Sequence, residues 1–187
     1  MQHAYFFGYG SLVNRGTHAF DPAHKARCHG WRRAWRFTDL RDVSFLTVIR
    51  DPACAIDGLM AGVPHEDWDA LDQREHAYDR LPAAHSVVHD AGPDLDIAIY
   101  AIAPDRLNMP DEHHPVLLSY VDVVVQGYLK EYGAAGAEHF FDTTTGWEAP
   151  ILDDRATPRY PRAQRLSDAE RAVVDAGLAR MGSKVFV

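Results

Sequence analysis

Gly8 and Gly10 close an aromatic apolar run, AYFFGYGSLVNRG over residues 4–16, and that closure constrains the chain more than any other stretch. An apolar segment this short, ended by glycines, predicts a buried strand followed by a tight turn. Such turns bring backbone N–H groups close to an anion. A dinucleotide fingerprint would need a third glycine where Val13 stands. No Gly-Lys-Ser/Thr follows, so the phosphate-loop pattern is missing too. Ser11 lies outside the G-x-S-x-G elbow of the α/β-hydrolases. The turn needs another guest.

Downstream, strands are expected in CHGWRRAWRFTDL (28–40), VSFLTVIRD (43–51) and GLMAGVP (58–64), with DPACAIDG (51–58) as a turn-rich connection. Pro64 opens a predicted helix that ends before Pro82. HSVVHD and DLDIAIYAI, separated by AGP, read as a hairpin or meander. HPVLLSYVDVVVQGYLKEYG (114–133) is the longest helical pattern, with Gly133 where a helix should stop and a β-branched run that weakens it. Residues 140–164 are turn-rich and predict a surface wrap. Ser167 and Glu170 form a capping box for a last helix that stops at Gly182. Strands first and long helices later imply an α+β fold, a small mixed β-barrel or sheet flanked by helices.

A chain of 187 residues, 47% hydrophobic, has the size and composition of one globular domain, here taken as residues 1–187. The net charge of −8 argues against nucleic acid or an anionic membrane as the main partner. MQHAYFF lacks the basic start and apolar length of a secretion signal, and no apolar run reaches membrane-spanning length. Cys28 and Cys54, the only cysteines, read as free thiols in a reducing cytoplasm.

One acid sits where the helical pattern calls for an apolar residue. Trp68, Leu71 and Tyr78 define an inward stripe, and Glu75 falls four residues after Leu71 and three before Tyr78. A carboxyl group among such neighbours should have a raised pKa, which suits proton transfer near neutrality. The alternative is a structural role, pairing with a buried arginine or capping backbone groups. Asp72 and Asp79 border the same face and are rival candidates.

YGSL (9–12) and LDQREHAYDRL (71–81) together resemble the γ-glutamylcyclotransferase superfamily, in which a Y-G-S-L or Y-G-S-N loop follows the first strand. GWRRAWRF is similar to its G-[WY]-x-R strand and GLMAGVP to the small-residue strand before its catalytic helix. YVDVVVQGYLKEYG and TTTGWEAPILDDRATPRYPRA are similar to the carboxyl half of bacterial members, so the resemblance spans most of the chain.

The resemblance implies conversion of a γ-glutamyl amide into 5-oxoproline and a free amine, with no cofactor and a small-molecule substrate. It implies Glu75 as the general acid/base and Phe7, Gly8, Tyr9, Gly10, Ser11 and Leu12 as the loop that holds the substrate carboxylate. Tyr120 is a candidate for the pocket wall, with a core tyrosine as the plainer reading. The order Arg74-Glu75-His76-Ala77-Tyr78 departs from the R-E-x-x-G-Y of glutathione-specific members, which argues away from glutathione itself. Rival readings are a cyclotransferase for a γ-glutamyl-protected amine metabolite and a non-catalytic module that binds such a compound.

Other signals carry less. HEDWD and DEHHP lack metal-ligand spacing, so no metal site is expected. Lys25, Arg27, Arg32, Arg33 and Arg36 interleave with tryptophans, as on a single-strand-binding surface. In an acidic chain they read instead as a solvated strand face, one of whose arginines could serve the substrate or Glu75. Cys28 and Cys54 lack a nucleophile pattern and read as small core residues.

Overall fold

The computed structural model describes residues 4–187; residues 1–3, part of the stretch judged unlike a secretion signal, lie outside the described residues. Its strands and helices are β1 (Ala4–Gly8), β2 (Ala23–Arg36), β3 (Phe45–Gly62), α1 (Trp68–Arg74), β4 (Asp79–Pro82), β5 (Val87–His89) and β6 (Asp96–Ala101). There follow β7 (Val116–Leu117), α2 (Leu118–Asp142), β8 (Thr144–Thr145), β9 (Ile151–Leu152), α3 (Asp168–Met181) and β10 (Val185–Phe186). The main sheet runs β4-β6-β1-β3-β2-β5, with β8 added beside β2, and β10-β9-β7 make a second, small sheet. In the main sheet most pairs are antiparallel, β1 with β6 and β2 with β8 being parallel, and both pairs of the small sheet are parallel. This is the α+β architecture expected from the chain, a mixed sheet flanked by helices.

β1 is buried along its whole length because both its faces are covered. Tyr5 and Phe7 enter the main core with Val121, Val124 and Tyr128 of α2, while Ala4 and Phe6 join Leu71 of α1 and Tyr100 in a second cluster. The valines of VDVVV are buried on all sides, and that burial overrides their weak helix propensity. No side chain of Leu117 caps α2. Asp154, arriving from a distant loop, does so instead: its carboxylate accepts from the Ser119 N–H at 2.8 Å and the Ser119 hydroxyl at 2.6 Å. α3 begins at the expected Ser167–Glu170 capping box and ends at Gly182 in the left-handed conformation.

Four expectations fail for identifiable reasons. DPACAIDG is not a connection between two strands, since β3 spans it; residues 51–54 bulge out of the ladder opposite Gly30, and Pro52 sits in that bulge, where no ladder bond is lost. The segment after Pro64 is not one helix: α1 begins only at the Asp67 cap and ends at Arg74, and Asp79–Pro82 pairs with β6 as a strand. β5 and β6 do not form a hairpin, because β5 pairs with β2 while β6 lies between β1 and β4. Gly133 leaves helical geometry at φ 70° and ψ −166°, yet the helix resumes and reaches Asp142. Among the described residues no helix is long and apolar enough to cross a membrane.

Candidate active site

The strand-turn segment Phe7–Leu12 leaves β1 at Gly8 and enters a short 3-10 turn at Ser11–Val13. The turn folds back so tightly that a Cβ on Gly8 would stand 2.6 Å from Leu12 Cβ. At Gly10 a Cβ would stand 2.7 Å from the Tyr120 hydroxyl. Both positions therefore exclude a side chain. Beyond the turn Asn14, fully buried, ties it to α2 by donating to the Val123 carbonyl and to Gln126 Oε1, each at 2.9 Å.

Behind the turn lies Arg33, whose side chain has no solvent exposure. It is not part of a solvated strand face, because Trp31, Arg33 and Trp35 share the inner side of β2. Its guanidinium donates to the Tyr9 carbonyl at 3.1 Å, to Thr143 Oγ1 at 2.6 Å, and to the Asp57 carbonyl and the Tyr128 hydroxyl. The ring of Tyr128 lies 4.8 Å beneath it. The Tyr128 hydroxyl itself reaches the Tyr9 carbonyl at 2.8 Å. A trans peptide points its N–H opposite to its C=O, so fixing the Tyr9 carbonyl on Arg33 and Tyr128 turns the Gly10 N–H away from them. The Val13 and Asn14 N–H groups are used by the Gly10 and Ser11 carbonyls, at 3.0 Å each. Those of Gly10 and Leu12 have no acceptor among the described residues.

This turn lines one side of a cavity of about 610 Å³. Glu75 lines it too, as the residue that ends α1: its N–H donates to the Leu71 carbonyl at 2.9 Å, and its own carbonyl accepts from Tyr78 at 2.7 Å. Four tyrosines surround this acid. Burial first, and the Glu75 charge among the further causes, push the phenols of Tyr9, Tyr78, Tyr100 and Tyr120 above their ordinary value. All four hydroxyls thus stay protonated and available as donors at neutral pH. Tyr9 spends its proton on the Tyr100 carbonyl at 2.7 Å, and Tyr78 on the Leu46 carbonyl at 3.2 Å.

The other candidates sort cleanly. Phe7, Gly8, Tyr9, Gly10, Ser11, Leu12, Tyr120 and Glu75 all line the cavity. Tyr120 is half-buried, packed edge-on against Trp35 at 5.9 Å and Tyr160 at 4.9 Å. Asp72 and Asp79 do not line it: Asp72 accepts from the Tyr100 hydroxyl at 2.5 Å, and Asp79 pairs with Arg106 at 2.6 Å. Cys28 and Cys54 are buried thiols, and burial pushes Cys28 up to about 12. Among the described residues no cluster of His, Cys, Asp or Glu could hold a metal ion. Sequence reasoning missed the rear support by Arg33 and Tyr128, and the residues 41–46 and 159–162 that complete the cavity wall.

A cavity of this size with a few convergent polar groups is the ordinary form of a small-molecule site. Residues 6–122 match the family described as gamma-glutamyl cyclotransferase, AIG2-like, and the chain belongs to that family of enzymes. No curated protein matches the chain in sequence. Among solved structures, a gamma-glutamyl cyclotransferase 14% identical covers 94% of this chain and 99% of its own, with a TM-score of 0.58. An uncharacterised human protein, loc79017, is similar over the same shares at 14% identity and a TM-score of 0.59. YkqA from Bacillus subtilis, 18% identical, covers 78% of this chain and 57% of its own at a TM-score of 0.55. At such identities the likeness shows the fold alone.

Proposed function

We propose that the chain is a γ-glutamyl cyclotransferase that releases 5-oxoproline and a free amine from a γ-glutamyl amide. The observation that carries this reading is that Glu75 and the Gly8–Leu12 turn open on one cavity. The substrate's α-carboxylate lies on the N–H groups of Gly10 and Leu12, with the Arg33 charge behind the turn adding attraction. The α-amine then faces Glu75. Glu75 takes a proton from that amine as its nitrogen attacks the γ-carbonyl carbon and the ring C–N bond forms. Collapse of the tetrahedral intermediate breaks the original amide bond, and Glu75 returns the proton to the departing nitrogen. No protein nucleophile is needed. Holding the chain folded for a five-membered closure supplies much of the acceleration. A carboxylate beside an anion site argues against mere binding, which it would weaken.

The test is product analysis by NMR on a panel of γ-glutamyl amino acids and γ-glutamyl amines. The expected result is 5-oxoproline with an equal amount of free amine from at least one member. The absence of 5-oxoproline from every member would overturn the reading.

Gly10→Ala probes the turn. Its methyl group would meet the Tyr120 hydroxyl, whose ring packs edge-on against Trp35 and Tyr160, so either the turn or that ring must shift. The expected loss in kcat/KM is about a hundredfold, the scale of an ångström-sized misplacement. Unchanged kinetics would show that the turn does not approach the substrate.

A further inference from the structure

The segment that follows Asp154 crosses from the N-terminus of α2 to the cavity, and its Arg159, Tyr160, Pro161 and Arg162 line the wall. It is anchored there: Asp154, buried beside α2, accepts from the Arg159 N–H at 2.8 Å, and Tyr160 N–H lies 3.4 Å from the Ser119 hydroxyl. Tyr160 packs against Tyr120, which itself touches Gly10, so this strap stands one ring further from the turn than Tyr120 does.

The charged residues that line the cavity are Arg41, Asp42, Glu75, Arg159 and Arg162, a cationic excess in a chain whose net charge is −8. Some arginines elsewhere sit on carboxylates, Arg27 on Asp57 and Arg155 on Asp122, each at 2.7 Å, whereas Arg41, which also lines the cavity, lies over the Phe45 ring instead. Among the described residues the guanidinium groups of Arg159 and Arg162 have no such partner. The hydroxyl of Tyr160, between them in sequence, is buried and also lacks a partner. The strap thus presents two fixed-charge donors and one neutral donor with nothing on them. A guanidinium fork is matched by a carboxylate.

We propose that Arg159 and Arg162 form a second anion subsite, which receives a carboxylate on the amine half of the substrate. The preferred substrates are then γ-glutamyl amino acids or peptides rather than γ-glutamyl alkylamines. This inference rests on the cyclotransferase reading for its substrate but not for its test. The glutamyl carboxylate is already provided for at the turn, which leaves the strap for the other end of the molecule.

γ-Glutamylalanine and γ-glutamylethylamine differ by that one carboxylate. The wild type is expected to favour the first by about tenfold in kcat/KM, the worth of a partly solvated guanidinium–carboxylate contact. In the double variant Arg159→Gln/Arg162→Gln the ratio should fall to near one, and in Arg159→Lys/Arg162→Lys most of it should remain. A ratio near one in the wild type, or one that survives the glutamine variant, overturns the subsite. Equal losses on both compounds with the ratio intact would mean the arginines serve the glutamyl half, which also overturns it. Calorimetric titration of both compounds into the Glu75→Gln protein reads the same ratio without turnover. A binding preference there, with no 5-oxoproline from any member of the panel, would uphold the subsite and sink the cyclotransferase reading.

Discussion

Glu75→Gln is expected to lower kcat by about a hundred- to ten-thousandfold, the range that a positioned proton carrier contributes. Glutamine keeps the shape of the side chain and can still bond to a neighbour, so the effect isolates the lost proton acceptor. The backbone N–H and C=O of residue 75, which close α1 and the following turn, are untouched by the substitution. KM should move little, because the carboxylate of the substrate rests on the turn, and the variant's melting curve checks that the fold survives. A kcat within about threefold of the wild type would remove Glu75 from the chemistry. Asp42 would then be the acid to test, since it is the other carboxylate lining the cavity.

The second large effect belongs to Arg33. Replacing it by methionine fills much of the same space but leaves the Asp57 and Tyr9 carbonyls competing for the single hydroxyl proton of Tyr128. Thr143 Oγ1 also loses its donor. Buried acceptors left without partners cost about 1–3 kcal/mol each. Some of that is recovered because no charge is buried any longer. A net loss of about 3 kcal/mol corresponds to a fall of roughly 6–12 °C in Tm for a chain of this length. Tyr128→Phe, which removes one hydroxyl and keeps the ring, should cost about 1 kcal/mol. Binding of glutamate, followed by NMR titration, should weaken in both variants, because in each the Tyr9 carbonyl loses one of the two donors that orient the Tyr9–Gly10 peptide. Melting of the Arg33 variant within a degree of the wild type would mean that the buried guanidinium contributes nothing net to stability.

Those two residues differ in how far sequence alone reveals them. Glu75 is legible because Trp68, Leu71 and Tyr78 keep helical spacing on either side of it. The cavity contains it although α1 stops one residue earlier, since the turn after Arg74 carries Glu75 and Tyr78 onto the same side. The capping box of α3 and the glycine turn after β1 are legible for the same reason: each is decided by residues within four positions. Arg33 had a signal that charge obscured. In β2 it alternates with Trp31 and Trp35, and a two-residue period places all three on the buried face. Reading the arginines as one basic cluster hid that alternation.

The remaining failures are long-range. Pro52 made the middle of β3 look like a turn, and a strand accommodates proline there because residues 51–54 bulge out of the ladder, which only the pairing with β2 reveals. β5 and β6 alternate as a hairpin should, but β5 pairs with the distant β2 and β6 inserts between β4 and the distant β1. The strap of Arg159–Arg162 has no periodicity at all. It reaches the cavity because Asp154 is pinned to Ser119, a contact between residues 35 apart in the chain.

In the proposed reaction the substrate's own amine, and not water, attacks the γ-carbonyl. Running the reaction on γ-glutamylalanine in heavy-oxygen water and analysing the products by mass spectrometry tests it most directly. Unlabelled 5-oxoproline and free alanine in equal amounts are expected. Glutamate carrying the heavy oxygen in its γ-carboxylate would contradict attack by the amine, because that label enters only when water opens the amide.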